Sequence, residues 1–176
     1  MLIKFVLALI ALVGVVFLYA YIRAPSVLKI SRTIQIPAPA EAVFPYLNTP
    51  KLMQEWNPFT EGDPSLQIVY SGPAEGIEAS YQWEGKKAGA GKATIVEVDP
   101  NRRVAMRLDF VRPFRATNFG DYVLTPKEGS TEVTWTINET SSVPRLLSTF
   151  INLDQKIGGE FEKGLLKLKG IVASNT

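Results

Sequence analysis

The chain contains neither cysteine nor histidine. Lack of Cys excludes disulfides, thiol nucleophiles and Cys-ligated metal. Lack of His removes the commonest general base and the commonest metal ligand, so Ser-His and Cys-His nucleophile systems cannot be assembled and a His-ligated zinc cannot be held. The acidic residues form no cluster suited to a carboxylate-only metal site, so neither metal nor cofactor is expected. Excess charge is missing too. Lys4 and Arg23 account for the formal +2, which leaves 17 basic and 17 acidic residues in 24–176. A nucleic-acid binder shows a basic excess, and this chain is not expected to be one.

What is present is apolar. Hydrophobic residues make up 46% of the 176 positions and charged residues 20%, the balance of a globular domain with an added segment. That segment is N-terminal. Residues 5–22, FVLALIALVGVVFLYAYI, carry no charge, and with Leu2 and Ile3 the run approaches the ~20 residues that span a bilayer. Tyr19 and Tyr21 stand at its end, where aromatic rings favour the interface. The run is longer than the apolar stretch of a usual signal peptide, and no small-x-small cleavage pattern comes after it. The expected organisation is a single-pass anchor over 1–23 that meets the membrane through 2–22, a linker over 24–29 and a domain over 30–173. Arg23, Lys29 and Arg32 would hold the domain in the cytoplasm by the positive-inside rule. The short head bearing Lys4 resembles a signal anchor that exports the domain C-terminal to it, and an extracytoplasmic domain is the reading adopted.

Periodicity defines the rest. KISRTIQI (29–36) alternates as a strand, with Ile30, Arg32, Ile34 and Ile36 on one face. Pro39 can open a short helix carrying Ala40, Val43, Phe44 and Leu47, and Pro45 should kink or shorten it. A second short helix is expected over 50–56. Six strand-like runs come next, at 66–70, 78–83, 92–98, 104–111, 116–125 and 131–138, joined by turn signals such as Gly72-Pro73, Asp99-Pro100-Asn101 and Glu128-Gly129. From Pro144 to Ala173 the period changes. Leu146, Phe150, Leu153, Ile157, Phe161, Leu165, Leu168 and Val172 form one stripe, interrupted by Gly158-Gly159 at ~1 kcal/mol each. The glycines mark either a kink or a close approach to the sheet or a ligand. The fold class is α+β, an antiparallel sheet buried against a long C-terminal helix.

Four stretches carry a family resemblance: IQIPAPAEAVFPYLNTPKLMQEWNPF (34–59), GAGKATIVEVDPNRRVAMRLDFVRPF (89–114), GSTEVTWT (129–136) and NLDQKIGGEFEKGLLKLK (152–169). Taken in order they resemble the SRPBCC superfamily, in particular its polyketide cyclase/dehydrase and lipid transport group. The resemblance implies the helix-grip (START/Bet v 1-like) fold, in which a curved sheet wraps a long helix around an apolar ligand cavity.

Alternation selects the residues that would face such a cavity. They are Tyr81 and Trp83, then Ile95, then Met106, Leu108 and Phe110, then Tyr122 and Leu124, which carry Asn118 inward, and Trp135 with Val133 and Ile137. Trp56 joins them from the second short helix, and Phe150, Ile157 and Phe161 from the long one, with Asp154 at the stripe's edge. Arg107 and Asp109 fall on the opposite face and read as a solvated pair. Asn118 either fixes a bulge or touches a ligand, and Asp154 is either a surface acid or a polar gate. The expected partner is a hydrophobic, lipid-like or polyketide-like small molecule. The function read from this is a membrane-anchored binder or carrier. The alternatives are a cyclase/aromatase-type enzyme using Tyr81, Asn118, Tyr122 and Asp154, and a protein-interaction module.

Overall fold

Alternating isoleucines bury one side of β1 (Leu28–Ile36), leaving its Ser and Thr residues to pair with hydroxyls of the neighbouring strand. The computed structural model describes residues 2–23, 27–139, 150 and 152–175. Before β1 comes α1 (Leu2–Arg23), and after it α2 (Ala40–Asn48), α3 (Pro50–Met53) and a 3-10 turn at Pro58–Thr60. Pro45 lies inside α2 without breaking it, and α3 stops three residues short of Trp56. Strands β2 (Gln67–Ser71), β3 (Ser80–Gly85), β4 (Gly89–Asp99), β5 (Arg103–Arg112), β6 (Ala116–Lys127) and β7 (Ser130–Glu139) come next, then α4 (Leu153–Ser174).

All seven strands form one antiparallel sheet in the order β1-β7-β6-β5-β4-β3-β2. Consecutive strands are hairpin neighbours, as the short turn signals require. Only β1 reaches across sequence, pairing with β7 from Leu28↔Glu139 to Ile36↔Thr131. A register shift between Ile95 and Glu97 marks a bulge in β4, which strengthens local twist and curvature.

The long helix begins at Leu153, later than its stripe predicts. Asn152 caps it, its side chain accepting from the Gln155 amide at 2.9 Å. The expected positions 144–149 lie outside the described residues. Phe161, Leu165, Leu168 and Val172 are buried in a single core with Ile30, Ile36, Val43, Leu47 and Trp56. Helix α4 packs along β1 and against the 3-10 turn.

Candidate ligand site

The ladder register arranges the inward side chains in transverse rows. One row joins Trp135, Tyr122 and Val104 across β7, β6 and β5. Nearer the start of β1 lies a second, with Asn118, Leu108, Ala93 and Tyr81. A third holds Phe110, Gly91 and Trp83. Between the first two stand Met106 and Ile95, both buried, and beyond the first is buried Leu124.

The first row is filled by aromatic rings. Trp56, 1% exposed, stands edge-on to Tyr122 and to Trp135, at 5.7 and 5.4 Å between centroids. Its indole nitrogen donates to the Tyr46 carbonyl at 3.0 Å. Phe161, also 1% exposed, lies flat on Trp135 with centroids 3.9 Å apart and planes at 5°. Phe59 meets both rings edge-on. Gly164 permits this closure, because a Cβ there would lie 2.8 Å from Pro58 and 3.2 Å from Trp135. Rings in stacking contact leave no room for a ligand between Trp135 and Phe161. The expected hollow is therefore absent at that point, since the Trp56–Phe59 segment supplies two rings to close it.

The third row is less covered. Trp83, Leu108 and Phe110 are half-buried, as are Ile137 and Ile157 at the near ends of β7 and α4. Trp83 lies over Gly91, where an added Cβ would come 2.5 Å from its ring. It meets Phe110 edge-on at 5.5 Å and donates to the Ala88 carbonyl at 3.2 Å. Helix α4 packs mainly along β1, and these side chains keep part of their apolar surface exposed. Asn118 is buried in the row between the filled and open parts.

Two of the four residues considered for catalysis come together. Burial pushes the Tyr81 phenol up, against the opposing effect of a hydrogen bond with Gln54. It pushes Tyr122 well up, helped by the neighbouring Tyr81. Both stay protonated and act as apolar rings with a neutral hydroxyl. Asp154 points elsewhere. It pairs with Arg32 at 3.0 Å on the exposed side of α4, and that hydrogen bond lowers its pKa. Arg32 also reaches Glu162 at 2.7 Å. Phe150 is 57% exposed. Arg107 and Asp109 are paired at 2.9 Å on the exposed face.

Sequence reasoning passed over several contributors. Phe59 and Gln54 had no periodic signal. Arg32 had one, standing in phase with three inward isoleucines, and it crosses the helix where Gly158 has no side chain to obstruct it. Asp63 was missed as well. Its carboxylate accepts from the Ser65 hydroxyl and amide, at 2.6 and 3.0 Å, and from the Lys87 and Ala88 amides, at 2.7 and 2.9 Å. It thereby fastens the loop after the 3-10 turn to the β3–β4 turn. Among the described residues no group of His, Cys, Asp and Glu could hold a metal ion.

The fold is that of known proteins. The structure resembles protein CV1439 from Chromobacterium violaceum, with 14% identity, TM-score 0.60, and 84% of this chain and 97% of that one covered. It also resembles Aha1 from Colwellia psychrerythraea, with 18% identity, TM-score 0.58 and coverage of 82% and 96%. Ara h 8.0201 matches with 15% identity, TM-score 0.56 and coverage of 84% and 99%. No curated protein matches the chain in sequence. The family model described as polyketide cyclase/dehydrase and lipid transport matches residues 27–172. With its curved seven-stranded sheet, its C-terminal helix and that match, the chain belongs to the polyketide cyclase/dehydrase and lipid transport family of the SRPBCC superfamily, whose helix-grip fold accommodates hydrophobic ligands.

Proposed function

We propose that the protein is a membrane-tethered binder of an apolar, lipid-like molecule, held on the open part of the concave face by Trp83, Leu108, Phe110, Ile137 and Ile157. The observation that carries this reading is the unequal filling of the concave face. Its first row is sealed by stacked rings, whereas the row of Trp83 and Phe110 keeps apolar surface exposed beside one buried amide, Asn118. Apolar walls with a single polar group are the usual make-up of a small-molecule site. Two aromatic rings and a leucine offer a wide, polarisable contact for an acyl or polycyclic chain. Binding rather than chemistry is supported by the two protonated phenols and by the engagement of Asp154 with Arg32. Helix α1 is long and apolar enough to cross a membrane, and it would keep the site near a lipid source.

The test is photolabelling of the full chain in lipid nanodiscs with a diazirine-bearing fatty acid, with peptide mapping of the products. Labelled peptides from 80–118 are expected, weakened by Phe110→Asp and by Leu108→Asp. Labelling confined to α1 would refute the site.

A further inference from the structure

The strand register sorts every turn of the sheet to one of two ends. Leu28 pairs with Glu139, Asn138 with Phe119, Phe110 with Ala116, and Ala90 with Arg112. The start of β1, the β5–β6 turn and the β3–β4 turn therefore share one end. The β2–β3, β4–β5 and β6–β7 turns share the other. Only residues 24–27 separate Arg23, the last residue of α1, from Leu28. At about 3.3–3.6 Å per residue, the five steps from Arg23 to Leu28 reach no more than roughly 18 Å. If α1 spans a bilayer, the end of the sheet bearing the β3–β4 and β5–β6 turns is the end kept within reach of the membrane surface.

The chemistry of the two ends differs in the same sense. At the tethered end, residues 84–88 and 110–116 carry Lys86, Lys87, Arg112 and Arg115 against the single acid Glu84, which pairs with Arg112 at 2.9 Å. Asp63, beside them, is fully engaged in its turn. Among these cations stand exposed apolar side chains, Val111 at 54% and Phe114 at 36%. An open cleft of about 790 Å³ runs between Lys86, Lys87 and Arg112. At the opposite end, Arg102, Arg103 and Lys127 are outnumbered by Glu75, Glu78, Asp99 and Glu128. Basic side chains around an apolar tip suit the interface of an anionic bilayer, where cations meet phosphates and the aromatic ring enters the acyl boundary.

We infer that the Lys86–Lys87 turn and the Val111–Arg115 hairpin tip dock onto the anionic lipid surface of the membrane that holds α1, so that the half-buried row of Trp83 and Phe110 opens toward the bilayer. The inference rests on the tethered-binder reading and adds to it a lipid-facing side and a route of ligand entry. Phe110 and Trp83 lie one to three residues from these turns. A lipid leaving the leaflet would meet them without crossing bulk water.

The absence of cysteine makes the test direct. Single cysteines at Phe114, Glu128 and Val13 in the full chain are labelled with an environment-sensitive fluorophore. The proteins are placed in nanodiscs of phosphatidylcholine alone or with about one-third phosphatidylglycerol, and quenching by doxyl lipids is read. The label at Phe114→Cys should shift to the blue and be quenched in the anionic discs. Both effects should be lost in high salt and in Lys86→Gln/Lys87→Gln/Arg112→Gln/Arg115→Gln. The label at Glu128→Cys should remain in water throughout. A label at Phe114→Cys that stays unquenched while Val13→Cys is quenched overturns the docking and leaves the tether standing. An unquenched Val13→Cys removes the tether, and the docking with it. Equal quenching at 114 and 128 overturns the polarity of the domain.

Discussion

Phe161 and Trp135 decide how solid the centre of the molecule is. With a face-to-face stack and 1% exposure for Phe161, truncation removes a fully buried ring and leaves a void against Trp135. Phe161→Ala is expected to cost about 3–5 kcal/mol in chemical denaturation, the range for a tight core. A site already hollow there would lose far less. Asp63 gives a second test at this scale. Its hydrogen bonds, first among them that from the Ser65 hydroxyl, hold its pKa well below the usual carboxylate value. A depressed folded-state pKa means that the stabilisation is complete above the ordinary range and is lost as pH falls through and below about 4. Denaturation midpoints measured across acidic pH should therefore fall more steeply for the native chain than for Asp63→Asn. At neutral pH the variant should be the less stable of the two.

At the scale of elements, the glycines of α4 look alike in sequence and differ in surroundings. An added Cβ at Gly158 would collide with the Arg32 guanidinium, whereas Gly159 and Gly170 face open space. Gly159→Ala and Gly170→Ala should each stabilise the protein by about 0.5–1 kcal/mol, the ordinary helix gain. Gly158→Ala should destabilise it, and Arg32→Ala should recover part of that loss in a double-mutant cycle measured by thermal denaturation. This contrast shows what was legible beforehand. Period-two alternation located all seven strands, because half-buried strands must alternate, and it assigned Trp135, Met106 and Asn118 to the inner face. The sequence reading placed Trp56 on that face but could not show that Phe59 folds back beside it, since the position of Phe59 depends on Pro58, the Asn57 turn and Gly164 rather than on any repeat. The start of α4 was misplaced for a related reason. Leu146 and Phe150 keep the stripe's spacing, but Asn152 caps the helix after them.

The whole molecule is a domain joined to one long apolar helix. If α1 is an uncleaved anchor, the full chain should sediment with membranes and resist washes of high salt and of alkaline carbonate. Appearance of a shorter soluble species beginning near Ala24 would identify α1 as a cleaved signal instead. Composition made this segment plain, because eighteen uncharged residues leave little choice of environment. For the side of the membrane, Lys4 and the group Arg23, Lys29 and Arg32 pull in opposite directions, and the lean to export rested on the short head alone.

The pairing of β1 with β7 sets a schedule for biosynthesis. Between Ile36 and Ser130 the ribosome must add 93 further residues, 37–129, before the strand that completes β1 exists. At 5–20 residues per second that interval is roughly 5–19 s. During it, an isoleucine-lined edge waits without its neighbour, while the hairpins from β2 to β6 can already form among themselves. Helix α4, which packs on the same strand, is made after β7. The segment 28–36 therefore stays without the partners that bury it until both β7 and α4 have left the ribosome.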